Sequence, residues 1–404
     1  MTKYFRLYIL FLFFSITSFS QISKVHYIPP LTNNKSLSGG SSIPLDQYMY
    51  LSTPSENNVT VTITPLNGDS PTTYNNLSNG NPIRYDIGSS WSGTNYIPSQ
   101  LFVDHETTGG DTALNAGFVV EADCPIYVSI RYNAGAQAGA LVSKGDASLG
   151  TNFRAGMMTN GTLQTANAHY TANSFFSVMA TQDNTTVAID LPNAIIGQTT
   201  LSNYSYEGPF TKVLQKHESM VLSLDFENTN ANNEGARNSL NGALIRSVDD
   251  NGVEDGTKPL VVNVGSASGS FTSTGSGHDH GIDQIVGLDR VGHEYIFVRG
   301  NGQNTNDGGQ LETPLIIGTK DNTSLYINGS NTAVATIDAG DLWLATTDLW
   351  SSQDQGATMY IRTQDKNYPV YAYQGVGGNG DSEANQGMFF VPPISEDAND
   401  DVNN

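Results

Sequence analysis

Apolar and polar residues alternate with a period of two through short runs of this chain, and one such run recurs three times. SENNVTVTIT (Ser55 to Thr64), TQDNTTVAID (Thr181 to Asp190) and TKDNTSLYIN (Thr319 to Asn328) each open with a polar tetrad ending in Asn. Each continues as a strand in which Val, Leu or Ile takes alternate positions. A second motif follows every time: DCPIYVSIRY from Asp123, TKPLVVNVGS from Thr257 and NYPVYAYQGV from Asn367. Two motifs in the same order three times specify one structural unit used as an array. The units fall at about 45–135, 174–266 and 294–376, inside a β domain of residues 21–395.

No stretch shows a sustained 3.6-residue apolar period, so the pattern predicts an all-β fold of antiparallel strands. In the second unit the strands are Phe175–Ala180, Thr186–Asp190, Phe210–Leu214, Met220–Asp225, Ala243–Arg246 and Leu260–Val264. Consecutive strands are expected to pair as hairpins across tight turns such as Gln182-Asp183-Asn184. Asp and Asn suit such turns because their side chains bond nearby backbone N–H groups and tolerate left-handed geometry. The same chemistry accounts for the Asn-x-Ser/Thr triplets at Asn58, Asn184 and Asn322. Six strands per unit make a small packed sandwich; a closed, propeller-like ring is the alternative. Met388–Ser395 (MFFVPPIS) resembles Val25–Thr32 (VHYIPPLT), which is compatible with closure or with unit boundaries.

The amino terminus modifies the picture. Lys3 and Arg6 precede an apolar core, Leu7–Phe14, and Ser18-Phe19-Ser20 precede Gln21, so residues 1–20 read as a secretory signal peptide and the rest as secreted or held at the cell surface. The chain has 39 acidic and 18 basic residues, for a formal charge of −21. A surface this acidic repels nucleic acid and anionic membranes and is compatible with cations. Membrane insertion is not expected. Cys124 is the single cysteine, which excludes an intramolecular disulfide; the sequence places it as an inert, buried strand residue. Residues 396–404 read as an acidic linker or tail, with Asp397, Asn399, Asp401 and Asn403 alternating.

The TQDNTTVAID segment, the KHES and AGD turns, the KPLVV strand and HDHGIDQIVGLDRVGHEYIFVRG (His278 to Gly300) together resemble the amino-terminal domain of the IgG Fc-binding protein family. In that pattern Asp279-His280 is followed by Gln284, a hydrophobic step, Gly292 and the aromatic strand Tyr295–Val298. The resemblance covers most of residues 45–395. It implies an extracellular, non-enzymatic binding or matrix domain; the leader and the Asn-rich composition are similar to those of surface or adhesin-like proteins of Bacteroidota-type bacteria. The paired cysteines of animal members are missing.

Candidate binding residues are His278, Asp279, His280 and Gln284, with Asp283 and His293 nearby. A His-x-His on a strand puts both imidazoles on one face, as metal sites do; buried or exposed structural histidines, and a hydrogen-bonding role for His280 and Gln284, are the other reading. Asp249, Asn251 and Asp255, in a loop that the second unit has gained, alternate oxygen donors around Gly252 in a way that suits calcium, although the terminal Glu of an EF-hand is missing. No other cofactor is indicated. Neither a G-x-S-x-G elbow nor an HExxH motif occurs, and Glu312 or Asp341 would need a partner carboxylate to serve a glycosidase. The expected function is therefore adhesion or matrix binding, to an extracellular glycan or glycoprotein through loops. A carbohydrate-active enzyme or its accessory domain, and a structural spacer, are the rivals.

Overall fold

The computed structural model describes residues 22–32, 43–93, 96–104, 109–134, 137–159, 173–224, 236, 238–269, 279–300, 312–352, 354–376 and 387–394. The proposed signal peptide and acidic tail lie outside them. The first unit contains β1 (Ser23–Ile28), β2 (Leu31–Thr32), β3 (Gln47–Ser52), β4 (Val59–Pro65), β5 (Thr72–Leu77), β6 (Ile83–Gly88), β7 (Phe102–Val103), β8 (Phe118–Ala134) and β9 (Gln137–Val142). The second contains β10 (Asn152–Arg154), β11 (Asn173–Ala180), β12 (Thr185–Asp190), β13 (Phe210–Leu214), β14 (Ser219–Ser223), β15 (Leu244–Val248), β16 (Leu260–Gly269) and β17 (Asp279–Ile285). The third contains β18 (Glu294–Val298), β19 (Pro314–Gly318), β20 (Thr323–Ile327), β21 (Ala335–Ile337), β22 (Leu342–Leu344), β23 (Thr358–Arg362), β24 (Val370–Val376) and β25 (Gly387–Phe390).

The second and third units are sandwiches with the same strand order. Outer sheets run β10-β15-β12-β13 and β18-β23-β20-β21; inner sheets run β14-β11-β16-β17 and β22-β19-β24-β25. In the first unit one long strand, β8, serves both layers. Its first half pairs β1 and β4, its second half pairs β3 and β9. Each unit therefore has an opening strand (β1, β10, β18) and a closing strand (β9, β17, β25) beyond the six that the repeat predicts. The opening contacts match: Ser23 faces Ile126, Gly150 faces Leu260 and Gly292 faces Val370.

The hairpins expected of β11 with β12 and of β13 with β14 are not formed. β11 pairs with β14 and β16, whereas β12 pairs with β13 and β15, so the Gln182–Asn184 turn carries the chain from one sheet to the other. The β13–β14 and β15–β16 connections cross in the same way. Burial explains the difference. β12 alternates buried and half-buried residues, as an outer strand with one wet face should, while β14 is buried at every residue and β19 likewise. Neighbours in sequence with such different patterns belong to different layers.

The turns that perform these crossings are built from the repeated polar residues. Thr181 Oγ1 donates to the Pro259 carbonyl at 2.6 Å, Thr53 to that of Pro125 at 2.9 Å, and Thr319 to that of Pro369. Asn184 and Asn322 take left-handed φ of 52° and 59°. Asp183 Oδ1 accepts from the Lys216 N–H and Asp321 Oδ1 from the Ala339 N–H, both at 3.1 Å, so each crossing turn is tied to the next. Cys124 departs from expectation: it is exposed, in the stretch Asp123–Pro125 where β8 passes between layers at the surface.

The units stack. Phe176, Val178, Leu222 and Val262 of the second inner sheet fill their own sandwich, but Phe175, Val221, Ala267 and Ile282 enter the core of the first unit beside Phe102 and Phe118. The third unit repeats this, sending Leu315, Ile317, Tyr371 and Tyr373 into the core of the second. Tyr371 Oη donates to Val286 O at 2.9 Å and Tyr373 Oη to Arg154 O at 3.2 Å. β1 and β25 each pair within their own unit, and the end strands are not joined to one another.

Tyr373 fits because position 156 is glycine; a Cβ there would stand 2.2 Å from the ring. Gly156→Ala is expected to destabilise the chain by about 1–3 kcal/mol, the usual cost of overpacking a rigid core, read as a lowered midpoint in urea unfolding.

Candidate functional site

In the second and third units the back of the inner sheet, the face turned from its partner sheet, is hidden on the preceding unit. Among the described residues no unit covers the back of the first inner sheet. Strand alternation puts Met49, Leu51, Val128 and Ile130 into the core, which leaves Tyr48, Tyr50, Tyr127 and Arg131 on the back, joined by Arg84 from β6. Tyr50 is 38% exposed and Tyr127 43%. The two tyrosines of β3 meet edge to face, ring centres 6.3 Å apart. Arg84 lies opposite Tyr50 in the ladder but leans diagonally over Tyr48, its Cζ 4.7 Å from the ring centre. Arg131 lies opposite Tyr48 and leans over Tyr50 at 5.8 Å. Guanidinium over a tyrosine face is a cation–π contact that holds a charged group flat while leaving its edge to a ligand. Among the described residues neither arginine takes part in an ion pair.

The face runs into a groove of about 610 Å³. One wall is Arg131, Ala140 and Val142 on β8 and β9; the other is Val376 and Phe389 beside β25. Val142, Val376 and Phe389 are exposed apolar side chains gathered along it. The groove opens where the closing strands of the three units meet.

Its floor is a buried polar network. Lys144 Nζ donates to Asp283 Oδ1 at 2.6 Å, both side chains less than a tenth exposed. Asp283 also accepts from the backbone N–H of Gln284 at 2.8 Å and of Phe390 at 2.7 Å, so one carboxylate joins residues of all three units. Gln284 accepts from the Lys144 N–H at 2.7 Å and donates to Tyr27 O at 2.9 Å. His26 bonds Ser143 Oγ and Ile126 O, each at 3.0 Å, and His280 Nδ1 meets Tyr132 Oη at 3.1 Å. Burial holds His280 neutral, its pKa lowered to about 4, and shifts His26 downward too.

The residues singled out by sequence are thus distributed. Gln284, Asp283 and His280 come together in this network, His280 on the groove floor and Gln284 fully buried, where they hold units together. His278 lies outside the described residues and Asp279 begins β17. His293 stands elsewhere, its Nε2 3.6 Å from Glu294 Oε1. Among the described residues no group of three His, Cys, Asp or Glu side chains is placed to hold a metal ion. The calcium candidates bond to their own loop: Asp249 Oδ1 accepts from the N–H groups of Asn251 and Val253, both at 2.9 Å, and Asp255 accepts from the N–H and hydroxyl of Thr257. These bonds lower the pKa of both carboxylates and account for Asn251 as a turn residue. Glu312 is buried 3.7 Å from Arg299, and Asp341 accepts from the Asp338 N–H in an exposed turn.

Sequence reasoning missed the open face. Its signal was there, in the outward positions of QYMYLS, IRYDIG and IYVSIRY, which carry Tyr48, Tyr50, Arg84, Tyr127 and Arg131 among Ser52, Asp86, Gly88 and Ser129.

The family model described as IgGFc binding protein matches residues 138–402, more than half of the chain. The match begins within β9, so most of the first unit lies ahead of it. No curated protein and no solved structure matches.

Removing one partner of the buried pair leaves an uncompensated charge, so Lys144→Met is expected to cost about 3–5 kcal/mol in denaturant unfolding; Lys144→Met/Asp283→Asn should recover part of it, because the neutral amide oxygen can still accept a backbone N–H. Acid should loosen the junction. With His280 near 4 when folded and near its ordinary value when unfolded, the unfolded chain binds the extra proton between those values, and stability falls as pH drops through that window. The contribution is up to about 3 kcal/mol, and His280→Gln should lack it in thermal melts from pH 7 to 4.

Proposed function

Since the chain belongs to the IgGFc binding protein family, we propose that it is a secreted, non-enzymatic adhesion or matrix-binding module that holds an extracellular glycoprotein or glycan on the open back of its first unit. The family is one of binding domains, which favours recognition over catalysis. The observation that carries the reading is the contrast between equivalent faces: buried on the preceding unit in the later units, whose covering residues include Phe175, Leu315, Tyr371 and Tyr373, and exposed in the first, where two arginines stand among the tyrosines. Tyrosine and arginine are the side chains that dominate binding surfaces, because a flat ring gives large contact area at little entropic cost and keeps a polar edge. The ligand is taken by a sheet face rather than by loop tips, since the turn residues bond one another. Among the described residues no helix is long and apolar enough to cross a membrane.

The test is binding of the purified chain to an immobilised mucin-type glycoprotein. Tyr48→Ser/Tyr50→Ser/Tyr127→Ser, at exposed or half-exposed positions, should lower affinity at least about ten-fold, near 1.4 kcal/mol, with unchanged thermal unfolding. Wild-type binding by this variant would refute the reading.

A further inference from the structure

The chemistry of the open face selects among glycans. We propose that it recognises acidic saccharides, those carrying carboxylate or sulfate groups, with Arg84 and Arg131 as the anion-reading side chains and Tyr48 and Tyr50 as the stacking platform. This rests on the proposed binding role of the first unit.

Three observations point the same way. The chain is strongly acidic, with a formal charge of −21, yet two of its 18 basic residues, Arg84 and Arg131, stand together on this face, with the carboxylate of Asp86 beside them opposite Tyr48. An anionic polymer is repelled by the molecule as a whole, so attraction has to come from a local cationic patch. Second, the guanidinium groups are laid over the rings of Tyr48 and Tyr50 rather than held in ion pairs among the described residues. Their N–H edges remain available for the bidentate geometry that suits carboxylate and sulfate oxygens. Third, the residues between them are small and polar. Ser52, Ser129 and Asn133 share the face with the tyrosines, and register places Ser129 opposite Tyr50 and Ser52 opposite Tyr127. A protein interface of standard kind asks for a fully buried apolar centre, which this flat, hydroxyl-lined sheet does not provide. A sugar needs a flat ring for its C–H face and hydrogen-bonding groups around it.

The experiment compares chondroitin sulfate (carboxylate and sulfate), hyaluronan (carboxylate alone), neutral dextran and poly-glutamate by titration calorimetry with the full chain. Chondroitin sulfate should bind, weakening as salt is raised, with dextran at least ten-fold weaker; the hyaluronan arm distinguishes carboxylate from sulfate as the group read. Arg84→Gln/Arg131→Gln should lose at least ten-fold for the acidic polymers while its melting temperature is kept, and Arg84→Lys/Arg131→Lys should restore only part of it. Equal binding of dextran and chondroitin sulfate, or wild-type binding by Arg84→Gln/Arg131→Gln, would overturn the inference. So would poly-glutamate binding as tightly as the glycans, which would indicate an acidic peptide. Dextran binding that Tyr48→Ser/Tyr50→Ser abolishes would overturn the acidic preference alone and leave the binding role standing.

Discussion

A sheet that is apolar on both faces has to be covered twice. That constraint organises the molecule. The central strands of the inner sheets of the second and third units are buried on both faces, and a sandwich supplies only one cover. The other comes from the unit before, through Phe175 and Val221 at one interface and Leu315, Tyr371 and Tyr373 at the next. No unit after the first hides its apolar surface alone, which is the physical meaning of a repeat array.

The polar groups at the junction fit the same logic. Apolar stacking is non-directional and would tolerate sliding. Lys144, Asp283, Gln284 and the Phe390 N–H require particular partners, and leaving any of them buried without one is costly. The network thereby fixes the register of three closing strands whose side chains alone would not. It also gives His280, Asp283 and Gln284, from the constellation that the sequence offers, a place in the mortar of the stack.

Much of the fold is legible in the sequence because period-two patterning and turn residues are local signals. The strands from Phe175 to Val264 fall where alternation and Asn- or Gly-rich turns place them. Pairing is another matter. TTVAID and FFSVMA are both good strands, and a turn as short as Gln182–Asn184 serves a hairpin or a crossing equally well. Only the difference between alternating and continuous apolarity separates them. An opening strand of three residues, such as Asn152–Arg154, carries too little pattern to be recognised. Cys124 reads as buried from its strand neighbours, and its exposure follows from the change of layer that β8 makes at that point. The open face is hidden from a sequence reading because Tyr48 and Tyr50 look like ordinary strand residues until the missing neighbour is known.

A stack in which each unit leans on the one before has a direction, and a direction gives it one beginning. Among the described residues such an uncovered back occurs once, on the first unit. Under the proposed binding role this is a single surface, and avidity has to come from the density at which several molecules are arrayed side by side.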